Sequence, residues 1–212
     1  MKRQTNNILA ILLGLIFMAS SLTKAVNVYS FSQTIHSFCG LLGLTGLYGH
    51  GVLLAILICA AECLLALLSF HPKYRGLALL ACPVVLIYFT CITFINYTNL
   101  YGGIESCGCF GEIIHLSPAA TFYKNAVMLA LSLYLLIVYM KEQCWEGKPL
   151  CSFGPPDGYL LLACLVSAVP PLFSYLFLNR MPHIPYLLVF LTISVTGMLL
   201  CIKSILCKKS AV

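Results

Sequence analysis

Two cysteines separated by a single glycine, Cys107 and Cys109, are the residues of this chain best suited to chemistry. They lie in the stretch ESCGCFGE, residues 105–112, which has an acidic residue at each end. With one residue between them, the two sulfurs can meet only in a tight ring, and Gly108 has the backbone freedom that such a ring requires. A strained, exposed disulfide is more oxidising and exchanges readily with thiols. The spacing therefore favours a pair that passes electrons by thiol–disulfide exchange.

Two other interpretations of the pair remain open from the residues alone. One of the two cysteines could form a structural disulfide with Cys39, although Cys39 also fits the redox interpretation as a third thiol that receives or resolves the pair. A metal site is the second alternative, but zinc sites usually have four ligands, and the nearby His115 is isolated. No metal site is therefore predicted.

Glu62 is the second candidate, because it lies near the middle of an apolar segment. An ionisable residue at membrane depth is costly and is a functional candidate by default. Cys59 and Cys63 lie three residues before it and one after it, which places all three side chains on one helical face. Two interpretations follow: a protonated acid hydrogen-bonded to a neighbouring helix, or a proton-relay or quinone-facing residue.

Lys24 and Lys124 are cations at the outer ends of two apolar segments. Long basic side chains in such places commonly extend to the membrane interface, and this is the expected role of both. A lysine that instead points at the cysteine pair would favour the reactive thiolate. Ser117 followed by Pro118 reads as a helix N-cap and first helical residue, so the cysteine loop should run directly into the next helix.

The elements that position these residues are predicted to be membrane-spanning helices. The chain is 61% hydrophobic and 8% charged, whereas soluble domains are about 45–50% apolar and about 25% charged. About 20 apolar residues cross a bilayer, and six windows qualify: 8–26, 51–70, 77–98, 119–140, 158–178 and 184–202. The first follows Lys2 and Arg3 as in a signal peptide, but it has no clean small-residue cleavage site, so a retained helix is expected.

The orientation follows from the distribution of lysine and arginine. If the N-terminus is cytoplasmic, nine of the twelve basic residues lie on the inner side and three, Lys24, Lys124 and Arg180, on the outer side. Both termini are then inside, and the loop 99–117 faces the periplasm of a bacterial inner membrane. The net charge of +6 accordingly reflects topology and anionic lipid, and no nucleic-acid partner is predicted.

The segments between the windows indicate how the chain is divided. Residues 27–50 mix apolar and small polar residues, which predicts an interfacial helix followed by a glycine-rich return. A connector rich in proline and glycine predicts two domains, 1–145 with the cysteine loop and 146–212 with two further spans. Pro170-Pro171 should kink or break the fifth span.

The residues quoted so far resemble a known family. The succession GLIFMASSLTKAVN (14–27), AECLLALL (61–68), SCGCFGE (106–112) and YKNAVMLAL (123–131) is similar to the methylamine utilisation MauE family, a branch of the DoxX-like membrane proteins. The resemblance covers residues 8–140. It implies an all-α integral membrane fold with a four-helix DoxX-like bundle, to which this chain adds two C-terminal transmembrane helices.

The resemblance also implies a function. It suggests thiol redox at the outer face, with maturation of the disulfide-rich small subunit of methylamine dehydrogenase alongside a thioredoxin-like partner in the namesake. Carried to this sequence, the motif pair is Cys107 and Cys109, the buried acid is Glu62, the outer lysine is Lys24, and the pair of a basic residue and Asn is Lys124-Asn125.

Together, these observations predict a multi-pass membrane protein that relays electrons or disulfides between a periplasmic thioredoxin-like protein and, as the class of membrane acceptor, a quinone. No cofactor motif is present in the sequence. Two alternatives stay open: a non-enzymatic assembly factor or scaffold whose loop only holds a docking shape, and a small-solute transporter in which Glu62 and the broken fifth span form the site.

Overall fold

The computed structural model describes residues 2–41, 43–98, 117–146, 158–178 and 184–209. Within these ranges every regular element is helical, which confirms the all-α prediction. The α-helices are α1 (Lys2–Val26), α2 (Val28–Leu41), α3 (Gly51–Phe70), α4 (Arg75–Tyr97), α5 (Pro118–Glu146), α6 (Gly158–Phe173) and α7 (Ile184–Lys209).

Five of these helices are long and apolar enough to cross a membrane. The spans are Asn6–Val26, Gly51–Phe70, Arg75–Tyr97, Pro118–Cys144 and Gly158–Leu178, the last of which continues beyond α6, and they coincide with five of the six predicted windows. The sixth window falls in α7, whose described apolar part, Leu187–Ile202, is shorter. A helix satisfies all of its own backbone hydrogen bonds, so a chain of this composition can fold in lipid.

The segment between the first two spans contains the predicted helix, followed by a turn with a glycine. Helix α2 is followed by a 3₁₀-helix, Thr45–His50. The carbonyl of Cys39 accepts the backbone N–H of Leu44 at 2.8 Å, and that of Gly40 accepts the N–H of Gly43 at 3.2 Å. This is the Schellman pattern of a helix C-terminus, which requires a left-handed residue. Gly43, with φ of 67°, supplies it at no steric cost.

The chain forms two compact units. The first comprises the described residues of 2–17, 65–98 and 117–146. Its helices approach closely where small residues allow it, because a Cβ on Gly14 would lie 3.3 Å from the carbonyl of Ala66 and 3.1 Å from Cβ of Ser69. Small residues at helix contacts are what membrane bundles use in place of a hydrophobic driving force.

The second unit comprises the described residues of 18–64 and 158–209. Its core is a cluster of buried side chains from α1, α2, α3, α7 and the segment after α6: Ala25, Val28, Phe31, Ala55, Cys59, Leu178 and Phe190. Within it α1 and α3 run antiparallel, since Met18 contacts Cys63 while Ser21, further along α1, contacts the earlier residue Cys59.

Pro170 and Pro171 lie inside α6 and change its geometry without ending it. Each proline lacks the N–H that would bond one turn back. After Leu172 and Phe173 the helix continues as a π-helix, Ser174–Leu178, a helix type with a wider turn. The predicted break of the fifth span is therefore a change of helix type. The division of the chain near residue 146 stays a prediction.

Candidate functional site

The second unit contains a buried ion pair between α1 and α3. Lys24 Nζ donates to Glu62 Oε1 at 2.5 Å. Lys24 is 1% exposed and Glu62 is 2% exposed, so neither charge reaches solvent or lipid. A buried pair of this kind is held by its own geometry, because each charge alone would be strongly disfavoured in an apolar medium.

The pair forms because of the direction in which helical side chains project. Every Cα–Cβ bond in an α-helix tilts toward the N-terminus of its helix. Lys24, near the end of α1, therefore reaches back into the bundle, and Glu62 in the antiparallel α3 reaches the opposite way to meet it. The expected extension of Lys24 to the interface is wrong for this reason, and its ammonium contacts a carboxylate instead.

Glu62 uses only one of its two carboxylate oxygens in this contact. Among the residues that the structure describes, Oε2 is fully buried and has no hydrogen-bond partner. Buried polar atoms are nearly always paired, so an unpaired acceptor at this depth calls for a functional or structural explanation. A carboxylate oxygen in this state can accept a proton or a hydrogen bond from a donor that enters the unit.

Two cysteines lie beside the pair on the same face of α3, as the spacing predicts. Cys59 is fully buried and Cys63 is 2% exposed. The carbonyl of Cys59 accepts a hydrogen bond from Ser21 Oγ at 2.7 Å, and the thiol of Cys63 donates to the sulfur of Met18 at 3.7 Å. The site thus combines a cation, an acid and two thiols inside one helical unit.

The surroundings of the pair are apolar and aromatic. Lys24 Nζ lies 5.4 Å from the centroid of the Phe31 ring, within the range of a cation–π contact. Surroundings of low polarity strengthen the electrostatic interaction between two buried charges. In the described ranges no group of three or more histidine, cysteine or acidic side chains is placed to hold a metal ion.

Cys39 is buried in the last turns of α2 and is a free thiol in the described structure. Cys107 and Cys109 lie outside the described residues, so their predicted exchange with each other or with Cys39 stays a prediction. The helix ends that carry their loop are described. Ser117 accepts a hydrogen bond from the backbone N–H of Ala120 at 3.2 Å, which confirms the predicted N-cap of α5.

Aromatic rings join the helix ends on either side of this loop. The ring of Tyr97 in α4 stacks on that of Phe122 in α5, with centroids 5.5 Å apart and an interplanar angle of 3°. Phe94 and Tyr123 extend the contact, with centroid distances of 5.5 and 6.1 Å to Phe122 and Tyr97 respectively. The described ends of α4 and α5, on either side of residues 99–116, therefore lie close together.

Lys124 is half-buried in the second turn of α5. Its neighbour Asn125 is buried and donates to Thr93 Oγ1 in α4 at 3.4 Å. The pair Lys124-Asn125 thus lies in the first unit, where its asparagine links two helices. The site residues of the second unit that the structure brings together are Lys24 and Glu62.

Four residues of the site were not anticipated: Met18, Ser21, Phe31 and Ser174. A signal for one of them was present, because Ser21 and Lys24 are separated by three residues and must share a helical face. The contact of Ser174, which donates to the carbonyl of Val26 at 3.1 Å, had no signal in the sequence. It depends on the π-helix, which local patterns do not specify.

The fold and the site together define a class: an all-helical integral membrane protein with a charge pair and thiols buried within its helices. The family model described as "Methylamine utilisation protein MauE" matches residues 2–138. This is more than half of the chain, so the protein belongs to the MauE family. No curated protein and no solved structure matches it.

Membership in the family confirms the resemblance seen in the sequence. It connects the chain to methylamine utilisation and to the membrane. The match covers α1 to α4 and most of α5, which includes Lys24, Glu62 and the cysteine motif. It does not reach α6, the π-helix or α7, although these elements contribute Leu178 and Phe190 to the core beside the ion pair.

Proposed function

We propose that this protein is a membrane thiol–disulfide redox protein, which exchanges electrons through Cys107 and Cys109 with a periplasmic thioredoxin-like partner. The observation that carries the proposal is the Lys24–Glu62 pair, whose second carboxylate oxygen is buried without a partner among the described residues. A protein that moves electrons through thiols must also move protons, and Glu62 is a group that can hold one within the helices.

The exchange step consumes no reagent beyond the two proteins. A thiolate of the partner attacks one sulfur of the Cys107–Cys109 disulfide and forms a mixed disulfide. The second partner thiol then displaces that sulfur, so that the partner becomes oxidised and the pair becomes a dithiol. Two electrons and two protons pass from the partner to the pair.

A quinone is the class of acceptor that would restore the disulfide within the membrane. In that step the dithiol loses two electrons and two protons, and the quinone gains both to become a quinol. Glu62 would carry a proton between the outer thiols and the acceptor, with Lys24 balancing its charge. Family membership supports a client in methylamine utilisation, and the chemistry indicates a protein with disulfides.

The test uses the full chain reconstituted into proteoliposomes, with a benzoquinone and reduced thioredoxin as a dithiol probe. The thiols of thioredoxin are counted with an alkylating reagent that adds mass. Replacing Cys107 and Cys109 with serine should abolish the oxidation of the probe. The control replaces Cys91 and Cys164, which are exposed cysteines of membrane helices, and should leave it unchanged.

Each alternative predicts a different result. A scaffold would show no exchange in the wild type, and its double serine variant would still support maturation of a client in cells. A transporter would depend on Glu62 and be indifferent to thiol blocking. If the cysteine variant oxidises thioredoxin as fast as the wild type, the proposed relay is wrong.

A further inference from the structure

The segment after α6 contributes a buried hydroxyl to the end of α1. Ser174 is fully buried, and its Oγ donates to the carbonyl of Val26 at 3.1 Å. Val26 is the last residue of α1, and the last four carbonyls of a helix have no partner within that helix. Ser174 therefore satisfies an acceptor that would otherwise be exposed to an apolar environment.

The π-helix sets the position of this hydroxyl. Each residue of an α-helix advances by about 100° around its axis, so a wider turn changes which residues face a neighbouring helix. The wider turn begins at Ser174, three residues after Pro171, and neither Pro170 nor Pro171 supplies an N–H donor to the helix. Single turns of π-helix inside α-helices are frequently found at functional sites.

The capped carbonyl lies two residues beyond Lys24. The carbonyl of Lys24 itself accepts the N–H of Asn27 at 3.2 Å, which begins the corner between α1 and α2. Leu178 and Phe190, also from the C-terminal segment, pack in the same core as Ala25 and Cys59. The last turn of α1, which carries Lys24, is thus held by its own corner and by the C-terminal helices.

We propose that Ser174 is a positioning residue that fixes the last turn of α1, and through it the contact between Lys24 and Glu62. The C-terminal helices, which lie outside the family match, would then complete the site inside the chain. The inference rests on the proposed function insofar as Glu62 carries a proton. Its geometric part, the effect of Ser174 on the Glu62 carboxylate, can be measured without any redox reaction.

The experiment compares infrared difference spectra of the full chain in detergent. In each background, subtracting the spectrum of the matching Glu62→Gln variant isolates the carboxyl band of residue 62. Ser174→Ala should displace this band, whereas Ser174→Thr, which keeps the hydroxyl, should retain it. Ser167→Ala is the matched control, because Ser167 is also buried in α6 but donates to Cys164 of its own helix at 2.9 Å.

Thioredoxin oxidation supplies the functional readout. Loss of one hydrogen bond of this kind should slow it by roughly two- to tenfold in Ser174→Ala, with Ser174→Thr restoring the rate. If Ser174→Ala does not fold, Ser174→Cys is used, since a thiol of similar size is a weaker donor; its band should also be displaced.

An unchanged band in the folded Ser174 variants that lack the hydroxyl would overturn the inference. An equal displacement in Ser167→Ala would overturn it as well, because the effect would then not be specific to the cap of α1. A displaced band in a protein that does not oxidise thioredoxin would leave the positioning role in place and contradict only the proposed function.

Discussion

At the scale of single residues, the carboxylate of Glu62 and the ammonium group of Lys24 form a buried ion pair. Both groups are almost completely buried, so each charge is stabilised chiefly by the other. Replacing one member of a buried pair leaves the other charge without a partner, while replacing both with apolar side chains of similar size is often neutral. This asymmetry gives the Lys24–Glu62 contact a measurable signature.

Lys24→Met should lower the free energy of unfolding by about 3–5 kcal/mol, because it leaves the carboxylate of Glu62 buried and unpaired. The double variant Lys24→Met/Glu62→Met should recover most of that loss. Thermal unfolding in detergent micelles measures the stability of the single and the double variant. The same double variant should fold yet no longer oxidise thioredoxin, since it lacks the carboxyl group that is proposed to carry the proton.

A double variant as unstable as Lys24→Met alone would show that the two side chains do not interact strongly. Lys73→Met serves as a control for removal of a lysine, because this residue is exposed. Its ammonium lies 4.9 Å from the centroid of the Tyr74 ring, so its removal should change the free energy of unfolding by no more than about 1 kcal/mol.

The sequence predicted the members of the site better than their contacts. Glu62, Cys59 and Cys63 were placed on one face from their spacing, because helical periodicity is a local property. The partner of Glu62 could not be derived this way, since it depends on which helices are neighbours and how they are aligned. Lys24 was expected at the interface because long basic side chains near the ends of spans commonly extend there, and the carboxylate that holds it inside the bundle comes from a neighbouring helix.

At the scale of elements, helix lengths and ends follow closely from local signals. Ser117 is the N-cap with which α5 begins. Gly43 has the left-handed backbone conformation that follows the end of α2. The sequence predicted only a kink or break at Pro170 and Pro171, because a proline removes a backbone hydrogen bond wherever it lies in a helix. The π-helix that follows was not predicted, because the helix type that the backbone adopts there depends on neighbouring helices. The close approach of α1 and α3 at Gly14 is likewise a tertiary feature, and the small residue permits it without predicting it.

Gly14→Ala should destabilise the protein by about 1–2 kcal/mol, even though alanine favours helices. The added Cβ would lie 2.9 Å from a carbon of the Phe70 ring and 3.1 Å from Cβ of Ser69, so α1 and α3 must separate slightly. The control is Gly158→Ala, where no atom lies within 4 Å of the new Cβ. Equal melting temperatures for the two variants would contradict the close contact at Gly14.

At the scale of the whole molecule, the distribution of charge predicts an orientation that the helices alone do not fix. Nine basic residues on one side and three on the other favour cytoplasmic termini. The chain then carries thiols on both faces, with Cys107 and Cys109 outside and Cys144, an exposed residue near the end of α5, inside.

A membrane-impermeant thiol reagent should therefore label Cys107 and Cys109 in intact spheroplasts after mild reduction, and Cys144 only in inverted vesicles. Mass spectrometry of peptides from the two preparations distinguishes the sites within one protein, so that Cys144 is the internal control. Labelling of Cys144 from the outside would show that the orientation is the reverse of the predicted one. Cys107 and Cys109 would then face the reducing cytoplasm, where the proposed relay could not keep its disulfide.

The stacked rings of Tyr97 and Phe122 also limit how far Cys107 and Cys109 can lie from the ends of α4 and α5. They hold together the two ends of an 18-residue loop, and the cysteine motif lies at its midpoint. A chain that must go out and return can extend by only about nine residues, or roughly 30 Å at full stretch. If Cys107 and Cys109 exchange with a partner as proposed, the chain length lets them reach no further from these helix ends than about the diameter of one small domain. A partner would have to lie directly against the membrane surface, which favours proteins tethered there over those that diffuse freely.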